Sequence, residues 1–299
     1  MTVDSHPSLE EFLATTVEEV AQVAPTTTIY ATGGTRRAVA LAGFSLSDDY
    51  AQWSRLQMLE SFALIFCSGI RHLIAPAGRP QIFAERGLYR ERVFDWMKWG
   101  LAGLESLDFY RAANWRVRLV VAGDRIPELA DIADTLDRAT SAATGPNLWF
   151  LTTPDYDQVW SWIGRAFVSG ARTRAEAVRA LFGDDIPPAT MLLSFGKPLV
   201  ALDHLPPLLF EEIQCYWTQR PGYSLTEREL RTILYDYTYL RSTWRQDKTG
   251  RAEEALAHRA AWEHGPTIGL GMHLGPFWYP APIYPPTSSE KRAGELEAP

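Results

Sequence analysis

The sequence predicts an α/β fold, a single mostly parallel sheet of about six strands flanked by helices. Three observations carry that expectation. Apolar, β-branched runs of four to seven residues recur between residues 26 and 217. Helical patterns separate them, so neighbouring strands are joined by crossovers rather than hairpins. The runs are apolar almost throughout, as strands covered on both faces are.

The elements follow in order. A short helix is predicted over 9–20. TTTIYA at 26–31 is the first strand, and Gly33 and Gly34 turn the chain after it. Residues 47–66 form a helix, with Trp53, Leu56, Leu59, Ala63 and Phe66 at helical spacing. Ser47 is its N-cap, Asp48 and Asp49 sit in the first turn, and Gly69 stops it. HLIA at 72–75 is a short buried strand, a helix covers 91–104, and VRLVVA at 117–122 is the third strand. Pro127 opens a helix that runs to about 139. A strand at 148–152 precedes helices at 156–168 and 174–182, and strands follow at 191–195 and 212–217. The last strong helix spans 226–241, with Thr226 and Glu229 in capping-box positions. Arg231, Tyr235 and Tyr239 share one face of it, too polar for deep core and suited to a contact surface. The organisation is an N-terminal segment over 1–25, one folded domain over 26–279 and a flexible Pro-rich tail over 280–299.

Composition removes several function classes. The 299 residues carry 29 Lys+Arg against 36 Asp+Glu, a formal charge of −7. A general nucleic-acid binder needs a net basic face, so no nucleic-acid partner is expected. Cys67 and Cys215 cannot build a disulfide framework, which points to a reducing, cytoplasmic setting, and Cys67 is expected in the core. The acidic N-terminal stretch does not read as a secretory leader. No run of about 18 uncharged apolar residues predicts a transmembrane segment. The histidines lack ligand spacing, so no zinc site is expected, and no G-x-S-x-G elbow supports an esterase. Trp96 and Trp99 read as core or interface.

In an open parallel sheet, ligands bind beyond the carboxyl ends of the strands. That rule points to the segments after Ala31, Ala75, Ala122, Thr152 and Phe195, and His273, which follows glycines, is a candidate to face the same crevice. The first segment, Gly33-Gly34-Thr35-Arg36-Arg37, is the richest in chemistry. Its glycines let the backbone turn tightly and bring N–H groups near a ligand. Thr35 adds a hydroxyl donor, and Arg36 and Arg37 add permanently charged forks matched to phosphate oxygens. Together they suit a diphosphate. On spacing alone, the same residues also fit an ordinary strand-to-helix turn with solvated arginines. The segment lacks the Walker spacing.

Four segments in this order, GGTRR, SDDYAQWSRLQ, SGIRHLIAP and RELRTILYDYTYLR, resemble a known family, and GLGMHLGPFWY extends the likeness to about residue 279. The resemblance is to the cis-prenyltransferase (undecaprenyl diphosphate synthase-like) fold, and within it to the terpene-forming branch. Members of that branch carry D-G-T-R-R after the first strand, D-D-Y at the next helix start and L-R-R-I-L-Y-D-x-x-Y-L-R late in the chain. The resemblance implies a terpene synthase that ionises a C20 prenyl diphosphate, linear or made bicyclic by a partner class II cyclase. The carbocation is then quenched by water or by proton loss. Carried over by residue, Gly33, Gly34, Thr35, Arg36 and Arg37 bind the diphosphate, and Arg36, Arg37, Tyr50 and Asp49 are catalytic. Tyr50 then faces the developing cation; packing beside Trp53 is its alternative. The resemblance also implies Mg2+ and a homodimer with the late helix at the interface.

Two departures bear on chemistry. Gly33 stands where the family has an aspartate that helps bind magnesium. Asp48, Asp49 and Asp236 are then the candidate acids, with helix-dipole and ion-pair roles as their alternatives. Where chain-elongating members carry R-T-S-G-E-x-R-x-S, this chain has Leu193-Ser194-Phe195-Gly196-Lys197-Pro198. A lone Lys197 is a weak anchor for a second diphosphate, which disfavours condensation with isopentenyl diphosphate. Prenyl transfer to an organic nucleophile such as a nucleoside, or prenyl-diphosphate binding without catalysis, are the other readings.

Overall fold

The structure, a computed structural model, describes residues 6–44, 48–124, 126–241, 243 and 248–281; the side chains of Asp48, Asp49 and Tyr89 lie outside that set. The chain divides into two compact units, Met1–Ser242 and Thr243–Pro299.

The single helix expected over 9–20 is two, α1 (Leu9–Leu13) and α2 (Val17–Val23). Each opens with its own capping box, Ser8 with Glu11 and Thr16 with Glu19. The Thr16 hydroxyl takes the Glu19 N–H that a continuous helix would give to the Thr15 carbonyl. That carbonyl instead accepts from Arg231 at 2.8 Å.

The rest of the first unit alternates strand and helix: β1 (Thr27–Ala31), α3 (Thr35–Leu41), α4 (Asp48–Cys67), β2 (His72–Gly78), α5 (Pro80–Ala84), α6 (Leu88–Ala102), α7 (Leu104–Ala112), β3 (Arg116–Val121), α8 (Pro127–Thr140), β4 (Asn147–Thr152), α9 (Tyr156–Val168), α10 (Arg174–Phe182), β5 (Ala189–Phe195), β6 (Phe210–Thr218) and α11 (Glu227–Tyr235). The six strands form one sheet in the order β3-β4-β2-β1-β5-β6, and every pairing is parallel. The expected α/β class and strand number are both found. Helices α3, α5 and α7 were not anticipated; each is short and starts at a Gly or Pro boundary.

Side-chain alternation on the central strands sorts the core into two layers. Tyr30, Ala75, Phe150 and Leu193 face the layer that holds buried residues of α4, α6, α7, α8 and α11. Ile29, Ile74, Trp149 and Leu192 face the layer of α9 and α10. A fully buried side chain of this size contributes roughly 1.5–3 kcal/mol, so both layers hold the sheet in place.

Two expectations are corrected. Cys67 is exposed, because Ile65 and Phe66 take the buried side of the last turn of α4. The helix over 226–241 ends at Tyr235 and continues as a π-helical turn, Asp236–Leu240. Its capping box is half closed: the Thr226 hydroxyl accepts from the Glu229 N–H at 3.3 Å, but the Glu229 carboxylate pairs with Arg220. The Arg231–Tyr235–Tyr239 face is a contact surface, and the chain's own N-terminal segment occupies it. Tyr235 donates to the Pro7 carbonyl at 2.9 Å, and Tyr239 packs on Phe12 and His6.

The second unit, by itself, contains α12 (Arg251–Ala257), α13 (Arg259–Glu263) and an antiparallel hairpin of β7 (Gly271–Leu274) and β8 (Phe277–Pro280). Gly275, with φ 56°, makes the hairpin turn, and His273 lies on β7. The tail from residue 282 onward lies outside the described residues. Among the described residues no helix is long and apolar enough to cross a membrane.

Candidate active site

Strand β1 delivers Thr32, Gly33 and Gly34 to the start of α3, near the middle of the sheet edge. The reason for glycine at 33 is steric. A Cβ there would overlap the Phe195 carbonyl oxygen at the end of β5. On the other side, the Gly33 carbonyl accepts from the Gly222 N–H at 2.6 Å, and a Cβ on Gly222 would stand 2.9 Å from that carbonyl. Three backbone segments therefore meet at two glycines, and no carboxylate can project from position 33. Gly34 adopts φ 70°, which favours glycine, and the Arg37 guanidinium lies back over it, with Nη2 2.6 Å from where a Cβ would stand.

The turn borders a cavity of about 500 Å³ on the Tyr30–Ala75–Phe150 face of the sheet. Its mouth is polar, formed by Thr32, Thr35, Arg36 and Tyr50. Its depth is mostly apolar, formed by Met58, Phe62, Ala75, Trp96, Leu101 and Phe150, with Ser54, Arg55, Gln81 and Glu85 as further polar lining. The Thr35 and Tyr50 hydroxyls lie 3.1 Å apart, and the Tyr50 ring packs against Trp96 with centroids 5.5 Å apart. Trp53 pairs with Phe44, and Tyr50 lines the cavity packed on Trp96 rather than beside Trp53. Trp96, expected in core or interface, is cavity wall. Of the five strand-end segments, those after Ala31 and Ala75 line the cavity, whereas those after Ala122, Thr152 and Phe195 do not.

Several wall residues were not singled out by sequence. Tyr223 sits at φ 69°, a left-handed conformation uncommon outside glycine. Burial pushes its phenol up to about 12; the Thr32 hydroxyl acts the other way, and the nearby Tyr50 adds to the rise. Tyr223 is therefore a neutral hydrogen-bonding group at the cavity mouth. Arg55 is buried, its guanidinium stacked 4.0 Å from the Trp99 ring centroid and paired with Glu105. Burial pulls it below the usual guanidinium value. The sequence signal for this wall is Tyr50, Ser54, Met58 and Phe62, spaced four apart beside the apolar stripe of Trp53, Leu56, Leu59, Ala63 and Phe66.

The remaining candidates separate. The side chains of Asp48 and Asp49, like Ser47, lie outside the described residues. Asp236 accepts from the Tyr216 hydroxyl at 2.7 Å and from Arg241 Nε at 2.6 Å, so it takes the ion-pair alternative. Lys197 is exposed and does not line the cavity. Arg79 Nε, 2.6 Å from buried Asp203, ties the N-terminal end of α5 to the chain beyond β5; Gln81 and Ile82 of α5 line the cavity. Among the described residues no three His, Cys, Asp or Glu side chains gather into a metal-binding group. Gly33 offers no carboxylate for a magnesium ion at the strand end, and Glu85 is the carboxylate that lines the cavity among the described residues.

No family model matches the chain. It is 46% identical over 277 residues to (+)-kolavelool synthase of Herpetosiphon aurantiacus, covering 92% of this chain and 96% of that protein. It is 27% identical over 255 residues to tuberculosinyl adenosine transferase of Mycobacterium tuberculosis, covering 78% and 83% respectively. Lavandulyl diphosphate synthase from Lavandula x intermedia, solved with dimethylallyl diphosphate, superposes with a TM-score of 0.60 at 15% identity, over 75% of this chain and 98% of that one. A probable undecaprenyl diphosphate synthase from Campylobacter jejuni gives a TM-score of 0.54 at 15% identity, over 74% and 98%. The architecture is the cis-prenyltransferase fold that the motifs implied. By its identity over nearly its whole length, the chain belongs to the family of (+)-kolavelool synthase, terpene-forming enzymes built on that fold.

Proposed function

We propose that the protein ionises a C20 prenyl diphosphate at the mouth of this cavity and quenches the carbocation with water or by proton loss. One observation carries the reading: a hydroxyl- and guanidinium-bearing mouth opens directly onto an aromatic, apolar interior. A volume of about 500 Å³ falls within the roughly 300–1,000 Å³ of ligand-binding cavities. The diphosphate oxygens sit against Arg36 and the Thr35 hydroxyl, with Gly33, Gly34 and Arg37 shaping the turn behind them. As the carbon–oxygen bond breaks, the electron pair leaves on the diphosphate. Fixed positive charge and donors there stabilise the leaving group more than the bound substrate. The allylic cation lies against the faces of Tyr50 and Trp96, which attract positive charge. Met58, Phe62 and Phe150 keep bulk water from the reactive chain. Asp49, one residue before Tyr50, stays in the proposal as the candidate acid.

The test is incubation with geranylgeranyl diphosphate and with a bicyclic C20 diphosphate, following diphosphate release and product mass. Release with a hydroxylated or olefinic C20 product is expected, and the absence of release from every prenyl diphosphate rejects the reading. We further propose that the enzyme acts after a class II cyclase, as a cytoplasmic homodimer, a reading that the sequence resemblance supports. Coupled incubation with such a cyclase and light scattering check those two points. A second reading, transfer to a nucleoside, is favoured by the likeness to tuberculosinyl adenosine transferase. A product whose mass includes adenosine, formed only when adenosine is added, identifies it.

A further inference from the structure

We infer that Ser54 and Arg55 form a polar step in the cavity wall that holds the water molecule which quenches the carbocation. The inference rests on the proposed ionisation of a prenyl diphosphate. Tyr50, Ser54, Met58 and Phe62 line the cavity from one face of α4. At about 1.5 Å of rise per residue, Ser54 lies roughly 6 Å further along the helix than Tyr50. Tyr50 touches Thr35 at the mouth. A chain anchored there by its diphosphate brings its first few carbons level with Ser54.

Two polar atoms at that level lack a hydrogen bond. A serine inside a helix ordinarily turns its hydroxyl onto the carbonyl four residues earlier. Ser68 of the same chain segment does this toward Leu64 at 3.1 Å. Ser54 does not, and its Oγ is buried without a hydrogen bond. The adjacent Arg55 side chain is 3% exposed, and its Nε is likewise buried without a hydrogen bond, although Nη2 faces Glu105. Buried polar atoms without partners are rare and costly. Such atoms occur elsewhere in the fold, on consecutive Thr27 and Thr28 among others, but those of Ser54 and Arg55 both belong to the lining of one cavity. A water that accepts from Arg55 Nε–H and hydrogen-bonds Ser54 Oγ satisfies both. A wholly apolar wall would not retain it.

The chemistry closes without a further reagent. Ionisation breaks the substrate carbon–oxygen bond, and both electrons leave on the diphosphate. The held water donates a lone pair to the allylic cation, forming the new carbon–oxygen bond. Its surplus proton passes to the released diphosphate. When the water is displaced, the cation instead loses a proton to the same base and an olefin results. Ser54 and Arg55 are thus positioning residues that set the ratio of alcohol to olefin.

That ratio is the measurement, taken per diphosphate released from geranylgeranyl diphosphate and from its bicyclic isomer, so that it does not depend on total rate. In heavy-oxygen water, the wild-type alcohol should carry the label. Ser54→Ala should lower the alcohol-to-olefin ratio about tenfold, Arg55→Met should lower it in the same direction, and Ser54→Thr, which keeps the hydroxyl, should restore it. The inference fails if the ratio is unchanged in Ser54→Ala, whatever the fate of Arg55→Met. It also fails if the wild type releases diphosphate yet makes only unlabelled or olefinic product. No diphosphate release by the wild type is a different result, and rejects the ionisation reading itself.

Discussion

The mouth and the inner wall of the cavity are assembled in opposite ways. The mouth draws on one short stretch, residues 32–36, joined by Tyr50 and Tyr223. Its shape is set by backbone, with Gly33 wedged between the Phe195 carbonyl and Gly222. The wall draws on α4, α6 and the β2 and β4 strands, a span from Ser54 to Phe150, and is made of side chains. Charge for the leaving group is therefore supplied locally, whereas the shape around the hydrocarbon is supplied by packing between distant segments. The mouth should respond sharply to backbone and charge changes. The wall should respond in product distribution.

The harshest way to break this contrast is Gly33→Asp, which restores the aspartate of the family motif. Overpacking typically costs about 1–3 kcal/mol, and more where backbone is the obstacle. Here the obstacle is the Phe195 carbonyl, so a loss near 3 kcal/mol and a melting temperature lower by roughly 5–10 °C are expected. Differential scanning calorimetry checks it. An unchanged melting temperature with higher turnover would mean that the strand ends separate easily and that the close approach does not shape the mouth.

Next comes Arg36→Ala. Removing one donor aimed at a charge-separating transition state costs about 10²-fold in turnover, on the scale of oxyanion-hole deletions. Arg36 is exposed, so the melting temperature should stay within about 1 °C. Near-normal turnover would reject its assignment to the diphosphate. A similar loss in Arg37→Ala, accompanied by lower stability, would fit a guanidinium that braces Gly34 from behind.

Tyr50→Phe sharpens the comparison rather than breaking it. The ring against Trp96 stays, and only the hydroxyl contact with Thr35 goes. One neutral hydrogen bond is worth about 0.5–1.5 kcal/mol, so turnover should fall by about twofold to tenfold. Tyr50→Leu should fall further, because it also removes the ring face presented to the cation. Equal effects from both variants would assign Tyr50 to the mouth alone.

The same contrast governs how much was legible in sequence. GGTRR announces itself because turn geometry, hydroxyl and guanidinium are contiguous. The parallel sheet was legible for a similar reason, since each strand is a local apolar run. The split at Thr16 left a trace, two S/T-x-x-E boxes eight residues apart, which the apolar pattern over 9–20 obscured. Ser54 and Arg55 are ordinary helix residues until the fold puts them in one cavity lining with Leu101 and Phe150. Trp96 looks like core until Tyr50 is placed beside it. Gly33 reads as a lost carboxylate until the Phe195 carbonyl is seen to occupy the space.

Tyr223 gives the smallest expected effect and bears on the seam between the two regions. Its phenol is raised by burial to about 12 in the folded state, above the usual tyrosine value of about 10. The folded protein therefore holds this proton more tightly than the unfolded chain does. The stability linked to it is fully present below pH about 10 and is lost as pH rises toward 12. Tyr30, Tyr110 and Tyr216 are raised in the same direction by burial, so they contribute the same sign. Tyr223→Phe should leave the melting temperature below pH about 9 nearly unchanged and make its decline between about 10 and 12 shallower. Parallel curves for the two proteins would mean that the Tyr223 hydroxyl is solvated. The mouth would then be open to water at the point where Thr32 meets the loop, and exclusion of solvent would begin only at the wall.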